Sequence, residues 1–482
     1  MTLSLSTRPP SRFSPARPQR IWVGAVALSI ILGFLSVMRV NNLLAWAYDL
    51  GFYIQDLFAI RSGIWRNTIF GFGVFSDHVS PVLVPLAYLT PSNWPGPFLV
   101  LIQAVAVGIA LVPLYHLGYL IGGRLGAILA ASLYATSAAV WHAALFDFHP
   151  VTLALPFGGW ILLEIEKGGA GRPWLPLIAM PLLREDIAIL YGVVVLVAGF
   201  RRRHRSWMLS GGAAVLLGIG YFLIMRSQPG IGNHIWYRYG GNAIDWFRRV
   251  VRPDALVSLA AVLFPLLVVP ALKGWRKTWP GLLLIASFVF SAWDQQTSLY
   301  YQYFAQAVPF LIAGSVQPIL RGGSHRVRMS LAASALILLL LGPLIYLGYG
   351  LPDRFANEIF AAGDRRAASE LIELVPPTAS VSATELLAAP VAWRSEIHPF
   401  PGPLVCGNSL GYFTPVTRAN DFVLFEPERA PAGPDWSQVL PQWGYSLVGA
   451  RGGAELWRLE RDVFKPISCP SWEAQKEAVL DV

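Results

Sequence analysis

Long apolar runs alternate with short polar breaks along most of this chain. The runs Ile21–Val37, Phe98–Ile121, Gly126–Leu145, Trp207–Ile224, Ala255–Ala271 and Met329–Leu347 are each near the ~20 residues needed to cross a hydrocarbon core of ~30 Å. Pro81–Leu89 is too short to span and reads as a re-entrant or interfacial helix. Basic residues collect in the breaks. They are Arg8, Arg12, Arg17 and Arg20, then Arg201, Arg202, Arg203 and Arg205, then Lys273, Arg276 and Lys277, then Arg321, Arg326 and Arg328. The positive-inside rule makes these breaks cytoplasmic.

From a cytoplasmic start, the first run delivers the segment around Asp49 to the outside, and Phe98–Ile121 returns the chain to a turn at Gly122-Gly123-Arg124. Gly126–Leu145 places Phe146-Asp147-Phe148-His149-Pro150 outside, and Val151–Ile165 comes back to Lys167 and Arg172. The stretch Trp174–Phe200 looks like one helix, yet a single crossing puts Arg201 to Arg205 on the wrong side. A reversal at Arg184-Glu185-Asp186, giving two short half-spans, restores the rule. The chain then runs out through Trp207–Ile224, in through Ala255–Ala271, out near Pro280–Ala292, in near Phe304–Gln317 and out through Met329–Leu347. The pattern predicts about eleven crossings, two of them short, and an outer C-terminus. The first run reads as a retained anchor, because it ends in Val37-Met38-Arg39-Val40 without a small-residue cleavage pattern.

After Gly350 the composition becomes that of a soluble domain. Phe355–Leu374 has helical periodicity, while Phe422–Phe425, Tyr445–Val448 and Ala454–Leu459 read as short strands. The fold class is mainly α, a polytopic membrane protein in three parts. Residues 1–20 form a disordered basic cytoplasmic tail, 21–349 a multi-spanning membrane domain and 350–482 a small extracytoplasmic α/β domain.

Composition agrees. Hydrophobic residues are 55% and charged residues 13%, where a soluble domain carries ~25% charged residues. The net charge of +9 does not indicate a nucleic-acid partner, since the basic residues lie in the cytoplasmic breaks. The partner it implies is the lipid bilayer. Cys406 and Cys469, the only cysteines, both fall in the outer part, where an oxidising compartment allows a disulfide that the spacing alone does not fix. The chain has no Walker loop, no Gly-x-Gly-x-x-Gly after a strand and no zinc-type Cys/His spacing, so ATP hydrolysis and nicotinamide chemistry are unsupported.

The predicted topology brings Asp49 with Asp56, Asp77 with His78, Asp147 with His149, and Arg184 with Glu185 and Asp186 to one surface. Ionised groups are costly at a membrane, so this concentration marks a candidate site. A partly desolvated carboxylate there is suited to take a proton from an attacking hydroxyl, although any one of these acids alone also reads as a solvated or helix-capping residue. Asp77, His78, Asp147 and His149 carry donors for a divalent cation, Mg or Mn, but not at a spacing that marks a metal site. Five arginines, Arg226, Arg238, Arg248, Arg249 and Arg252, stand in an outer loop against the positive-inside trend. They suit either bidentate capture of a phosphate or attraction to anionic headgroups. Arg238, between Tyr237 and Tyr239, is the best phosphate candidate. Gln302 and Tyr303, with Tyr300 and Tyr301, fit either sugar contacts or an aromatic belt.

The motifs Asp49-Leu50-Gly51 with Gln55, Asp77-His78-Val79-Ser80-Pro81, Phe146-Asp147-Phe148-His149-Pro150 and Arg184-Glu185-Asp186 resemble, in order, those of the bacterial domain-of-unknown-function family 2079. That family in turn resembles the GT-C glycosyltransferases. The resemblance covers most of the membrane part and, more loosely, the outer domain through Ser380-Val381-Ser382-Ala383 and Asp421-Phe422-Val423-Leu424. It implies an inner-membrane enzyme with GT-C-like architecture, moving a sugar from a polyprenyl-phosphate donor to an extracytoplasmic glycan, lipid or protein. Asp49 is then the general base, and Asp147, Glu185 and Asp186 complete the acidic site. Asp56, Asp77, His78, His149, Arg184, Arg238, Gln302 and Tyr303 are expected to bind substrate. At the half-helix turn the related enzymes carry a lysine where this chain has Arg184-Glu185-Asp186, and Gln302 stands where a histidine is expected. Two other classes stay open: a transporter or flippase of lipid-linked saccharides, favoured by the broken segment at Arg184, and a scaffold presenting the outer domain.

Overall fold

The computed structural model describes residues 19–227, 243–252, 274–298, 300–321, 367–402, 419–430 and 434–461, with isolated positions at 255–256, 258–259, 262 and 463. Helices dominate. Among the described residues four helices are long and apolar enough to cross a bilayer. The first, α1 (Gln19–Asn41), carries Arg39 in its last turn. A π-helical turn (Ala47–Gly51) runs into α2 (Phe52–Arg61), so the acidic segment around Asp49 is helical instead of an open loop. The short α3 (Leu83–Leu89) packs on α2 and is too short to span, as its length predicts.

The segment α4 (Pro95–Ala135) is two antiparallel helical arms. Non-helical backbone at Gly122 and Gly123, the latter at φ 61°, reverses the chain where the sequence predicts a turn. The arms touch backbone to backbone. A Cβ added at Gly118 would lie 2.2 Å from the carbonyl oxygen of Gly126, and the Tyr134 hydroxyl donates to Val107 O at 2.9 Å across the same pair. The second arm does not run on to Leu145 as one helix. It stops at Ala135 and restarts as α5 (Ala138–Leu145), whose Trp141 donates its indole N–H to the freed carbonyl of Ala135 at 2.7 Å.

After α6 (Ala154–Glu166) come two single helical turns, α7 (Trp174–Leu177) and α8 (Met180–Leu183), then extended Arg184 and the long α9 (Glu185–Arg202). The break falls at the predicted place, but the halves are unequal. α9 has 18 residues, ~27 Å of helix, so only the first half is short. It ends on Arg203 in a left-handed cap and packs against α10 (Arg205–Ser227). Next come α11 (Ala243–Val250), α12 (Trp275–Val289) and, after a 3-10 turn at Tyr303–Ala307, α13 (Val308–Arg321). The predicted crossing Met329–Leu347, most of Ala255–Ala271, and both cysteines lie outside the described residues.

The C-terminal part holds a short helix, α14 (Ala368–Glu373), and a five-stranded sheet. The strands are β1 (Val381–Ala383), β2 (Ile397–Pro399), β3 (Phe422–Phe425), β4 (Tyr445–Arg451) and β5 (Ala454–Leu459), in the order β2-β1-β3-β5-β4. The first three pair in parallel, and β5 runs antiparallel to both β3 and β4. β3, β4 and β5 match the sequence reading. β1 and β2, at three residues each, are too short to show an alternation.

This domain sits on the bundle. Thr68 donates its hydroxyl to Ile397 O at 2.7 Å and accepts from Ile397 N at 2.9 Å, tying edge strand β2 to the loop after α2. Gly51 leaves room for the Ala389 backbone, which a Cβ would meet at 3.2 Å. Val381, Ala383, Phe422, Leu424 and Leu456 of the sheet join the hydrophobic core of the bundle, while Phe400, Val423, Phe425, Trp436 and Trp457 form a separate core within the domain.

The closeness of the α4 arms predicts that Gly118→Val forces them apart. The cost is about 1–3 kcal/mol or more, because the obstructing atom is backbone. The thermal midpoint in detergent should fall, and an unchanged midpoint counts against the tight hairpin.

Candidate active site

The site forms where the helix ends on one face of the bundle meet the outer domain. Asp49 projects from the π-helical turn with its side chain 21% exposed, and His149 Nε2 lies 3.1 Å from its Oδ1. The other ring nitrogen, Nδ1, stands 3.0 Å from the backbone carbonyl of Asp147, which can only accept. Nδ1 therefore carries hydrogen, and Nε2 and Oδ1 share a proton between them. Burial raises the Asp49 carboxyl above the ordinary carboxylate range, an effect that the hydrogen bond and charge of His149 partly offset.

Asp147 has a different role in the geometry. It is fully buried, with Oδ1 on the Arg39 guanidinium and Oδ2 accepting the Trp46 amide at 2.7 Å. This ion pair ties the end of α1 to the Phe146–Pro150 turn. Gln103 completes the turn from within α4. Its amide donates to Ala143 O at 3.0 Å and Phe146 O at 3.1 Å, and its carbonyl accepts from His149 N at 2.9 Å. Phe146 stacks on the His149 ring, and Tyr300 and Tyr301 meet Phe146 edge-on at 5.8 and 5.0 Å.

A second cluster forms at the chain break. Glu185 accepts from the His78 ring at 2.6 Å and from Val79 N at 3.1 Å, and Asp77 lies 3.9 Å from the far ring nitrogen. Burial disfavours the charged ring, but Glu185 and Asp77 outweigh it and hold the His78 pKa above its ordinary value. Arg184 makes a two-point pair with Asp186, Nε to Oδ1 at 2.6 Å and Nη2 to Oδ2 at 2.5 Å. Asp186 also accepts from Ile187 N at 2.7 Å in the first turn of α9.

Tyr53 stands between the clusters. Its ring contacts Phe148 and His149 at 5.6 and 5.5 Å. Burial, then the charges of Asp77, Asp56 and Asp49, push its hydroxyl well above its usual pKa against the opposing pull of Arg184, so it remains a donor. Glu385, at the start of α15 (Glu385–Ala388), closes the site from the outer domain. Burial raises its pKa to about 7, helped by the nearby charges of Asp49 and Asp147.

The structure thus gathers Asp49, Asp147 and His149 in one cluster, and Asp77, His78, Arg184, Glu185 and Asp186 in the other. Asp56 is turned away. It is fully buried, accepts from Asn67 at 2.7 Å and is held well above the ordinary carboxylate range by burial. Gln302 is buried, and Tyr303 meets Phe288, while Tyr300 and Tyr301 approach the Asp49 cluster through Phe146. Arg238 lies outside the described residues. Of the outer arginines, Arg249 donates to Phe290 O at 3.1 Å and Arg252 to the Thr297 hydroxyl at 2.9 Å. Asp77, His78, Asp147 and His149 do not form one donor set, and among the described residues no three His, Cys, Asp or Glu side chains gather to hold a metal.

Arg39, Gln103, Tyr53 and Glu385 escaped the sequence reading. Arg39 had a signal, a lone charge at the end of an apolar run. Glu385 had none, because only the docking of the outer domain brings it near Asp49.

The family model for predicted membrane proteins of the DUF2079 type matches residues 39–229 and 244–431. The chain belongs to this family. The match spans all four motif segments and most of the outer domain, as the sequence resemblance implies. No curated protein matches the sequence. Among solved structures, the chain is similar to ArnT from Cupriavidus metallidurans bound to undecaprenyl phosphate. The identity is 14%, the match covers 92% of this chain and 99% of that one, and the TM-score is 0.55. The apo form of the same protein matches at 13% identity over the same shares, with a TM-score of 0.54. The fold of this family member is therefore ArnT-like, of GT-C-like architecture.

Two outcomes follow from the geometry. Arg39→Met strands the Asp147 carboxylate in a dry interior and should cost about 3–5 kcal/mol, whereas the double variant Arg39→Met with Asp147→Leu recovers much of that loss. Detergent unfolding midpoints of the single and double variants check this; equal losses would argue against the pair. Glu385 has a folded pKa of about 7 against an ordinary 4.5, so folding favours its protonated form and stability is lost as pH rises between those values. Glu385→Gln should remove that loss, so that parent and variant differ most above the upper value in thermal scans across pH.

Proposed function

We propose that the protein is a glycosyltransferase of the bacterial inner membrane, moving a sugar from a polyprenyl-phosphate donor to an extracytoplasmic acceptor: an envelope glycan, a lipid or a protein. The observation that carries this reading is the Asp49 and His149 pair, a partly exposed carboxylate with a raised pKa at the seam between bundle and outer domain. The fold of ArnT, in a structure bound to undecaprenyl phosphate, supports a lipid-linked donor. Arg201, Arg202 and Lys277 at the end of the bundle opposite Asp49 support, by the positive-inside rule, a cytoplasmic N-terminus and an outward Asp49 face.

In this mechanism Asp49 removes the proton of the acceptor hydroxyl as its oxygen attacks the anomeric carbon, and the bond from that carbon to the donor phosphate oxygen breaks with inversion. His149 holds Oδ1, leaving Oδ2 to receive the proton. His78 and Arg184, across Tyr53, supply N–H donors for the anionic departing lipid phosphate, with Glu185, Asp77 and Asp186 balancing their charge. The rings of Trp46, Tyr300 and Tyr301, 5.2 to 6.4 Å apart, suit a sugar face.

Asp49→Asn keeps size and one acceptor oxygen but loses the base, and should lower turnover about 10²–10⁴-fold with membrane insertion unchanged. Near-parental turnover would remove Asp49 from the chemistry. Asp49 acts ionised, so the acid limb of kcat/KM should lie above the ordinary carboxylate range. His149→Gln removes the groups that pull the Asp49 pKa down and should move that limb to higher pH. To separate a transferase from a flippase, the lipid-linked and envelope glycans of a deletion strain are compared with those of its parent. A missing sugar with donor accumulating outside fits transfer, and donor trapped inside overturns it.

A further inference from the structure

The end of the bundle opposite Asp49 holds a cavity of about 210 Å³. Its walls include Leu162 of α6, Val194 of α9 and Phe310 of α13, and Arg201 and Arg202 from the end of α9 and Arg276 and Lys277 from the start of α12 also line it. Apolar walls alone describe a gap that any hydrocarbon fills, and basic helix ends alone describe the positive-inside rule. Here both occur in one place, and the cations come from two separate helices.

The charge is unbalanced. The carboxylate lining this cavity is Glu166, with Oε1 2.8 Å from Lys277 Nζ. Four cations against one carboxylate leave an excess of three positive charges, counted from the lining residues. The apolar walls give water few partners, while the basic residues do not suit a neutral hydrocarbon. The group that satisfies both features has an anionic head and a hydrocarbon tail.

We propose that this cavity is a binding site for an anionic phospholipid, with the phosphate held by Arg201, Arg202, Arg276 and Lys277 and part of an acyl chain laid against Leu162, Val194 and Phe310. Guanidinium groups suit the phosphate oxygens in two-point contact, and basic pockets between spanning helices suit anionic heads. The chain portion is short, because the cavity admits only a segment of a tail. The site is remote from Asp49, so it stands or falls independently of the proposed sugar transfer.

The test uses the full-length protein in a neutral detergent, with phosphatidylglycerol, phosphatidylcholine or inorganic phosphate added separately. Phosphatidylglycerol is expected to raise the unfolding midpoint, while the other two leave it in place. Equal shifts with phosphatidylcholine, or with inorganic phosphate, overturn the proposal, as does no shift at all. The double variant Arg201→Gln with Arg276→Gln keeps the bridge between Lys277 and Glu166 and should weaken phosphatidylglycerol binding about 30-fold, from ~1 kcal/mol per basic residue. Undiminished binding overturns the assignment. Ala198→Leu, which keeps all four cations and fills part of the cavity, should weaken the long-chain lipid while the lipid-free midpoint stays near the parent's. Unchanged long-chain binding in that variant overturns the acyl-chain half of the site.

Discussion

The carboxylate of Asp147 accepts from Arg39 and from the Trp46 amide in a place water does not reach, and the order of the candidate site descends from that contact. An unpaired charge at this depth costs several kcal/mol, so the end of α1 and the Phe146–Pro150 turn have one stable relation to each other. The turn then has its peptide groups fixed by Gln103, and the carbonyl of Asp147 fixes the protonated nitrogen of His149. Only after these steps does His149 meet Asp49 at hydrogen-bond distance. The partly exposed acid is placed by a buried one.

The outer domain adds a second constraint. Its contacts join Phe58 and Arg61 to Trp393, and next to the site they run through Thr68 with Ile397 and Gly51 with Ala389, which lets a helix start come close to the π-helical turn. Glu385 arrives there as a carboxyl whose pKa burial has pushed up to about 7, so bundle and roof are coupled electrostatically as well as by packing. The two ends of the bundle differ in kind. Acids, histidines and aromatics meet at one, and arginine and lysine line a largely apolar cavity at the other.

Most of the membrane part is legible in the residue pattern. Apolar runs of spanning length give helices because hydrocarbon leaves backbone groups no partner outside the helix. Charge parity locates the break at Arg184, since a lone crossing would strand Arg201 to Arg203 on the wrong side. The lengths of the two halves are not legible, because where a helix restarts beside a break depends on what its first turn can bond. Here Glu185 reaches His78 and Asp186 reaches Arg184. The pause at Thr136 and Ser137 and the three-residue strands β1 and β2 are hidden for a related reason: such short elements follow from their neighbours and leave no periodicity of their own.

Residue order alone settles the class of molecule, the segregation of its charges, and the four motif segments that carry the acids, because each of these is a local property of residue type against a hydrocarbon solvent. Which acid stays partly exposed is a matter of tertiary structure. Asp49, Asp56 and Asp147 are alike as residues, yet one meets His149 while partly exposed, one is closed off against Asn67, and one is neutralised by Arg39. Two of these pairings join groups about one hundred residues apart, a distance over which no local pattern records them.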